Sequence, residues 1–197
     1  MKRASLLLAF LLLPIGWALA AAGLGMVGHM AGHMIAVALA APLLAYGLGA
    51  GAFDPAKRWP RIVTPMAMML VELLTIWLWH LPLLRAAVEH SPIVMAIEQA
   101  QFLIAGWLLW ASVFHAPQRM AGIGALLLTS MHMTLLGVLI GLAPRSLYGV
   151  TPHGLHALDP VTDQQLGGVI MLLIGAASYF IGGLAVLGSI IRERKAV

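Results

Sequence analysis

The segment His29-Met30-Ala31-Gly32-His33-Met34 sets two imidazoles four residues apart and two thioethers at the same spacing. On an α-helix, residues at i and i+4 lie on one face, so the histidines point one way and the methionines occupy the adjoining face. All four carry metal-donor atoms. The chain has no cysteine, so any metal must be held by His, Met, Asp or Glu, and thiolate sites, CxxC redox chemistry and disulfides are excluded. Other residues of the same chemical kind are spread along the chain: His80 in Trp77-Leu78-Trp79-His80-Leu81-Pro82, Glu98 followed by Gln101, and Met131-His132-Met133.

The chain that carries them has 197 residues, of which 61% are hydrophobic and 9% charged, and its mean hydropathy is +0.97. Soluble domains carry about 25% charged residues, so this composition is that of an integral membrane protein. A bilayer span takes about 20 apolar residues, which leaves room for about six helices in a single membrane domain over residues 1–197. The expected fold class is therefore an all-α polytopic bundle in contact with the lipid bilayer. The net charge of +4 reads as membrane topology and not as nucleic-acid binding.

Residues 1–22 read as an uncleaved first helix, with a cleavable signal peptide as the alternative, given the basic start Lys2-Arg3, the Leu-rich run and Ala18-Leu19-Ala20. A second helix is expected over Met26 to Leu48, bent by Pro42. The third is expected over Ile62 to Leu84, with a short outer loop from Arg85 to Pro92. The fourth and fifth cover Ile93 to Phe114 and Met120 to Ala143. A long loop from Pro144 to Gln165 holds His153, His156, Asp159 and Asp163, and the sixth helix runs from Leu166 to Ile191. His90, in the short outer loop, and His153 and His156 are expected to be solvated.

Lys2, Arg3, Lys57, Arg58, Arg61, Arg119, Arg192, Arg194 and Lys195 fall on one side of these helices, and Arg85 and Arg145 on the other. That asymmetry puts both termini in the cytoplasm and the long loop outside.

At a rise of ~1.5 Å per residue, His29 and His33 lie about 5 and 10 Å below the outer helix end. His80, Glu98 and Gln101 fall at similar depths on two other helices, which makes one outward-opening site. His132 lies near the midplane, as the floor of that cavity or as a second site. Glu72 is at midplane depth too, on the face of Trp79. Ionisable side chains inside a bilayer are costly to place and mark function by default.

His29, His33 and His80 are thus the expected metal ligands, with Glu98 either a fourth ligand or the partner that orients a ligating histidine. Met30, Met34, Met131, His132 and Met133 are further donors, and Trp79 and Gln101 are neighbours that orient them. Imidazole with thioether and no thiolate points to copper, with methionine favouring Cu(I); zinc would accept His, His and Glu; and a b-type haem needs one histidine from each of two helices, which His33 and His80 could supply.

Taken in order, His29-Met30-x-x-His33-Met34, Ala41-Pro42-Leu43-Leu44-x-x-Gly47, Trp77-x-Trp79-His80-x-Pro82, Glu98 with Phe102 and Trp110, and Leu147-Tyr148 with Asp163-Gln164-Gln165-x-Gly167-Gly168-x-x-Met171 resemble the polytopic CtaG family of cytochrome c oxidase assembly factors. The resemblance runs from about residue 26 to 175. It implies a non-enzymatic protein of the bacterial inner membrane that handles copper for the oxidase, with a cytochrome c oxidase subunit as recipient and a periplasmic copper chaperone as a further partner. Carried over by motif, the functional residues are His29, His33, His80, Glu98 and the pair Asp163 and Gln164, with Tyr148 beside them. Gly32 departs from the family pattern, where Gln is frequent, and so removes one neighbour of the histidines. Two other classes compete: a b-type haem cytochrome, and a proton-coupled transporter using Glu72, His132 and Glu98. The second lacks the repeated halves many transporters show.

Overall fold

The computed structural model describes residues 1–49, 51, 54–115, 117, 119–149 and 158–195. It is an all-α bundle with no strand among the described residues. Among the described residues, five helices are long and apolar enough to cross a membrane, or six if one bent pair makes a single span. His153 and His156 lie outside the described residues.

Helix α1, Lys2–Ala21, lies along α2, which runs as Gly25–Met34, a π-helical turn Ile35–Ala40 and Ala41–Leu48. Small residues let the two backbones touch. A Cβ on Gly32 would stand 2.6 Å from the Gly16 carbonyl oxygen, and one on Gly28 would stand 2.6 Å from that of Leu19. Gly32 therefore faces α1 and not the histidines, so the departure from Gln concerns helix packing here.

Pro42 acts on α2 differently from the expected simple bend. Its missing N–H and its ring disturb the carbonyl four residues earlier, Ala38. The chain answers with the π-turn, and the freed carbonyls find partners on the last long helix: Ser178 Oγ donates to Ala38 O at 2.7 Å and the Tyr179 hydroxyl to Val37 O at 3.2 Å.

The short α3, Pro55–Arg58, is capped by Asp54. Helix α4, Pro65–Trp79, starts on a Thr64 cap, and α5, Pro82–His90, follows it at 70°. The expected helix to Leu84 and loop from Arg85 are thus corrected. Proline at the first position of a helix pushes the residue before it out of the α region, and Leu81 is extended, so α4 stops and a new helix begins.

Helices α6, Pro92–His115, and α7, Arg119–Gly141, complete the centre of the bundle. Helix α8 runs as Pro160–Ile170, a second π-turn Met171–Ala176 and Ala177–Lys195. It starts before the expected Leu166 because Asp159 caps it, accepting from the Val161 and Thr162 amides, with Pro160 in the first turn. Helix α2 is the central element, packed against α1, α6 and α8.

Candidate metal centre

His29 and His33 project from the first, regular part of α2 toward the break between α4 and α5, where His80 sits as the residue just past the end of α4. One ring nitrogen from each of the three lies within 4.8 Å of the others, and all three side chains are buried. Ring centroids are 5.1 Å apart for His29 and His80, 5.2 Å for His33 and His80, and 6.2 Å for His29 and His33. Phe102, from α6, closes one side of the cluster and stacks on His33 at 4.1 Å with the planes 22° apart.

The hydrogen bonds assign the ring roles. Arginine only donates, so Arg85 Nη1 donates to His29 Nδ1 at 3.1 Å. A neutral His29 then carries its proton on Nε2, which lies 3.4 Å from His80 Nε2. His80 Nδ1 faces the Ile76 carbonyl at 2.6 Å and must be the donor there, leaving His80 Nε2 as acceptor. The chain from Arg85 through His29 and His80 to Ile76 O is therefore self-consistent. His33 stands apart from it: both of its nitrogens are buried and have no hydrogen-bond partner. A buried polar group without a partner is costly, and beside His29 and His80 the ring makes a set of three nitrogens that could hold a metal ion.

Glu98 stands behind His29 rather than among the three rings. Its Oε2 is 3.5 Å from His29 Nδ1 and its Oε1 is 3.6 Å from Arg85 Nη1, while Gln99 donates to Oε2 at 3.4 Å. It faces the His29 ring and the Arg85 guanidinium together.

Arg85, Phe102 and Gln99 are the neighbours that residue type alone did not bring to the site. Arg85 counted as an outer-loop charge, yet it is 5% exposed and points into the cluster. The signal was in the chain: Leu81-Pro82 starts a new helix, and Arg85 and Glu89 then share a face of it at i and i+4.

The remaining expected residues fall into separate groups. Met30 packs over Gly167, and the sulfurs of Met34 and Met133 border the gap over Gly175, so the methionines of α2 face α8 while its histidines face α4 and α6. Met131 is 67% exposed on the outside of the bundle, which corrects its placing as a donor. His132 is buried, and both its nitrogens lack hydrogen-bond partners. Trp79 is buried and donates to Gln101 Oε1 at 2.8 Å, so these two join α4 to α6 beside the cluster. Glu72 bonds to Tyr179 and Thr129, with no hydrogen bond or ion pair to His132 or Glu98 among the described residues.

Above the cluster a shallow polar pocket is lined by Met26, Glu89, Tyr148, Asp163 and Gln164. Asp163 accepts from the Met26 and Val27 amides at 2.7 and 3.2 Å and so caps α2 just before His29. Gln164 accepts from the Leu147 amide and donates to the Ile140 carbonyl, pinning the segment that follows α7. The Tyr148 hydroxyl, pushed by burial from its ordinary 10.0 up to about 12, donates to the His80 carbonyl. These residues hold the elements that carry the histidines.

Comparison with curated proteins and with solved structures returns no match. The profile of the cytochrome c oxidase caa3 assembly factor family matches residues 4–193, nearly the whole chain. With that match across the bundle and its histidine cluster, the chain belongs to the family of cytochrome c oxidase caa3 assembly factors.

Proposed function

We propose that this multi-pass membrane protein binds Cu(I) at His29, His33 and His80 and delivers it to a subunit of cytochrome c oxidase, from the periplasmic side of a bacterial inner membrane. The observation that carries the reading is His33, a fully buried imidazole with two unpartnered nitrogens, set against two other imidazoles. Metal–imidazole bonds of about 2.0–2.1 Å put ligand nitrogens roughly 3.5 Å apart, so side-chain shifts of about 1 Å bring the three donors onto one ion.

Cu(I) accepts three ligands without rearranging the protein around a fourth, and Glu98, behind His29, suits the role of orienting a ring better than that of ligand. Zinc would call for a fourth donor in the same small space. For a haem the fit is poor, because Phe102 stacks directly on His33 and the rings of His33 and His80 are in near contact, leaving no slot for a macrocycle. Copper here is cargo. The ion arrives, from a periplasmic copper chaperone on this reading, exchanges imidazole ligands and leaves to the oxidase subunit without change of oxidation state, a role that needs no enzymatic step.

The test is Cu(I) titration of the full-length protein in nanodiscs against a chromophoric chelator, with His33→Ala and His80→Ala beside it. One tightly bound Cu(I) that is lost in both variants is expected, together with oxidase that retains haem but lacks copper in cells carrying either variant. Unchanged copper binding in both, or a Soret band in the purified protein, overturns the reading.

A further inference from the structure

We propose that Arg85 gates the histidine cluster: in the structure its guanidinium blocks His29 as a ligand, and the cluster opens to a cation when Arg85 shifts its contacts from His29 and Glu98 to Glu89 at the outer pocket. This rests on the metal-binding reading of His29, His33 and His80.

The argument follows from the two nitrogens of one ring. Arg85 Nη1 lies 3.1 Å from His29 Nδ1 and, being a donor, occupies that nitrogen's lone pair. Ligation through Nδ1 requires the same lone pair and so requires Arg85 to leave. Ligation of a neutral ring through Nε2 requires the proton to sit on Nδ1, where it would meet the Arg85 N–H head on. Both routes exclude the contact seen. Leaving Arg85 in place with Nε2 on the metal would make the ring an anion.

The structure also holds what each partner needs after the shift. Glu98 Oε2, 3.5 Å from His29 Nδ1, can accept the proton that Nδ1 would then carry, the carboxylate–histidine arrangement that orients metal-bound imidazoles. Glu89 Oε1, 3.8 Å from Arg85 Nη2, already touches the guanidinium from one helical turn further along α5 and lines the outer pocket. Arg85 thus lies between the cluster and the pocket, with an anion on each side. Its Nε has no hydrogen-bond partner, so the side chain is anchored at its tip. The guanidinium's positive charge beside the cluster further disfavours an incoming cation until it moves outward.

Cu(I) loading of the full-length protein in nanodiscs, followed by stopped flow and at equilibrium, tests the gate. The variants are Arg85→Met, which keeps the stem and removes charge and donors, Arg85→Lys and Glu89→Gln. Arg85→Met is expected to load faster by roughly tenfold, the factor that corresponds to one charged hydrogen bond. Arg85→Lys, with one compact ammonium in place of a fork, should fall between it and the parent. Glu89→Gln should load more slowly, since the displaced guanidinium has lost its second anion.

Loading by Arg85→Met alone, abolished by adding His33→Ala, would mean a tightly closed gate and supports the proposal. Equal rates and affinities in the parent and Arg85→Met overturn the gate and leave copper binding standing. No binding by either overturns both. Should Arg85→Met fail to fold, an unchanged loading rate in Glu89→Gln overturns the gate by itself.

Discussion

The Tyr148 hydroxyl donates to the main-chain carbonyl of His80 at 3.1 Å, tying the loop after α7 to the break between α4 and α5. That carbonyl sits where the helix stops, so it has lost the amide that would have paired with it four residues on. Tyr148→Phe is expected to lower thermal stability by about 1 kcal/mol, the cost of one lost hydrogen bond, and to weaken Cu(I) binding by freeing the His80 backbone. Equal melting and equal copper affinity in the variant would show that the contact holds nothing in place.

The same hydroxyl carries a pH signature. Burial raises it from 10.0 to about 12, with the Arg85 charge acting in the opposite direction. The folded value lies above the unfolded one, so the stabilising contribution of the neutral hydroxyl is whole below about pH 10 and is lost as pH rises toward 12. A phenolate difference spectrum, parent minus Tyr148→Phe, should show its band appearing near pH 12. A band at the ordinary pH 10 would contradict the burial.

How legible the site was in the sequence depended on what each residue's position rested on. His29 and His33 follow from helical periodicity alone, and their shared face survives intact in α2. His80 and Glu98 came from counting depth along straight helices, which works because each stands close to a helix end. Arg85 was hidden by one misjudged element: with Pro82 taken as lying inside a helix that ran to Leu84, a charge three residues later looked like a loop. The methionines show the limit of spacing arguments, since the i and i+4 rule gave them a common face correctly but could not say that this face meets α8. The two π-turns were beyond reach, because the carbonyls they free are met from other helices: those of α2 by Ser178 and Tyr179 from the other end of the chain, and Ala176 O of α8 by Ser130 of α7.

Tyr179 therefore offers a test of the core. Its hydroxyl touches both Glu72 Oε1 and the Val37 carbonyl released by the π-turn, and none of the three is exposed to solvent. Tyr179→Phe removes the one hydroxyl proton that these two buried acceptors share and should cost about 1–3 kcal/mol. Thermal unfolding in the same detergent reads this directly. A double-mutant cycle with Glu72→Gln should show coupling between the two positions, and strictly additive losses would mean that the contact contributes nothing.

Phe102 separates holding a ligand from being one. Its ring covers one face of His33, the imidazole without a hydrogen bond of its own, and so fixes that ring by stacking alone. Phe102→Leu keeps an apolar side chain in the space while removing the flat surface. Copper affinity is expected to fall about tenfold, a loss near 1.4 kcal/mol, with the stoichiometry unchanged. Full loss of copper in Phe102→Leu, or none, would place the control of His33 elsewhere.

Gly32 decides between the two readings of residues 1–22. With α1 present, a methyl at position 32 would stand 2.6 Å from the Gly16 carbonyl oxygen and 2.9 Å from Ala20 Cβ, and backbone cannot yield as a flexible side chain can. Overpacking of this kind costs typically about 1–3 kcal/mol, so Gly32→Ala should melt earlier. The histidines face away from this contact, and copper stoichiometry should hold. A processed protein starting after Ala20 would have no Gly16 to strike, and Gly32→Ala would then be neutral or, through its better helix propensity, slightly stabilising. Intact-mass measurement of the purified protein beside the melting curves joins the two halves of the argument. Retained residues 1–22 with an early-melting variant are the expected pair, and a shortened mass with an unperturbed variant would identify the segment as a leader.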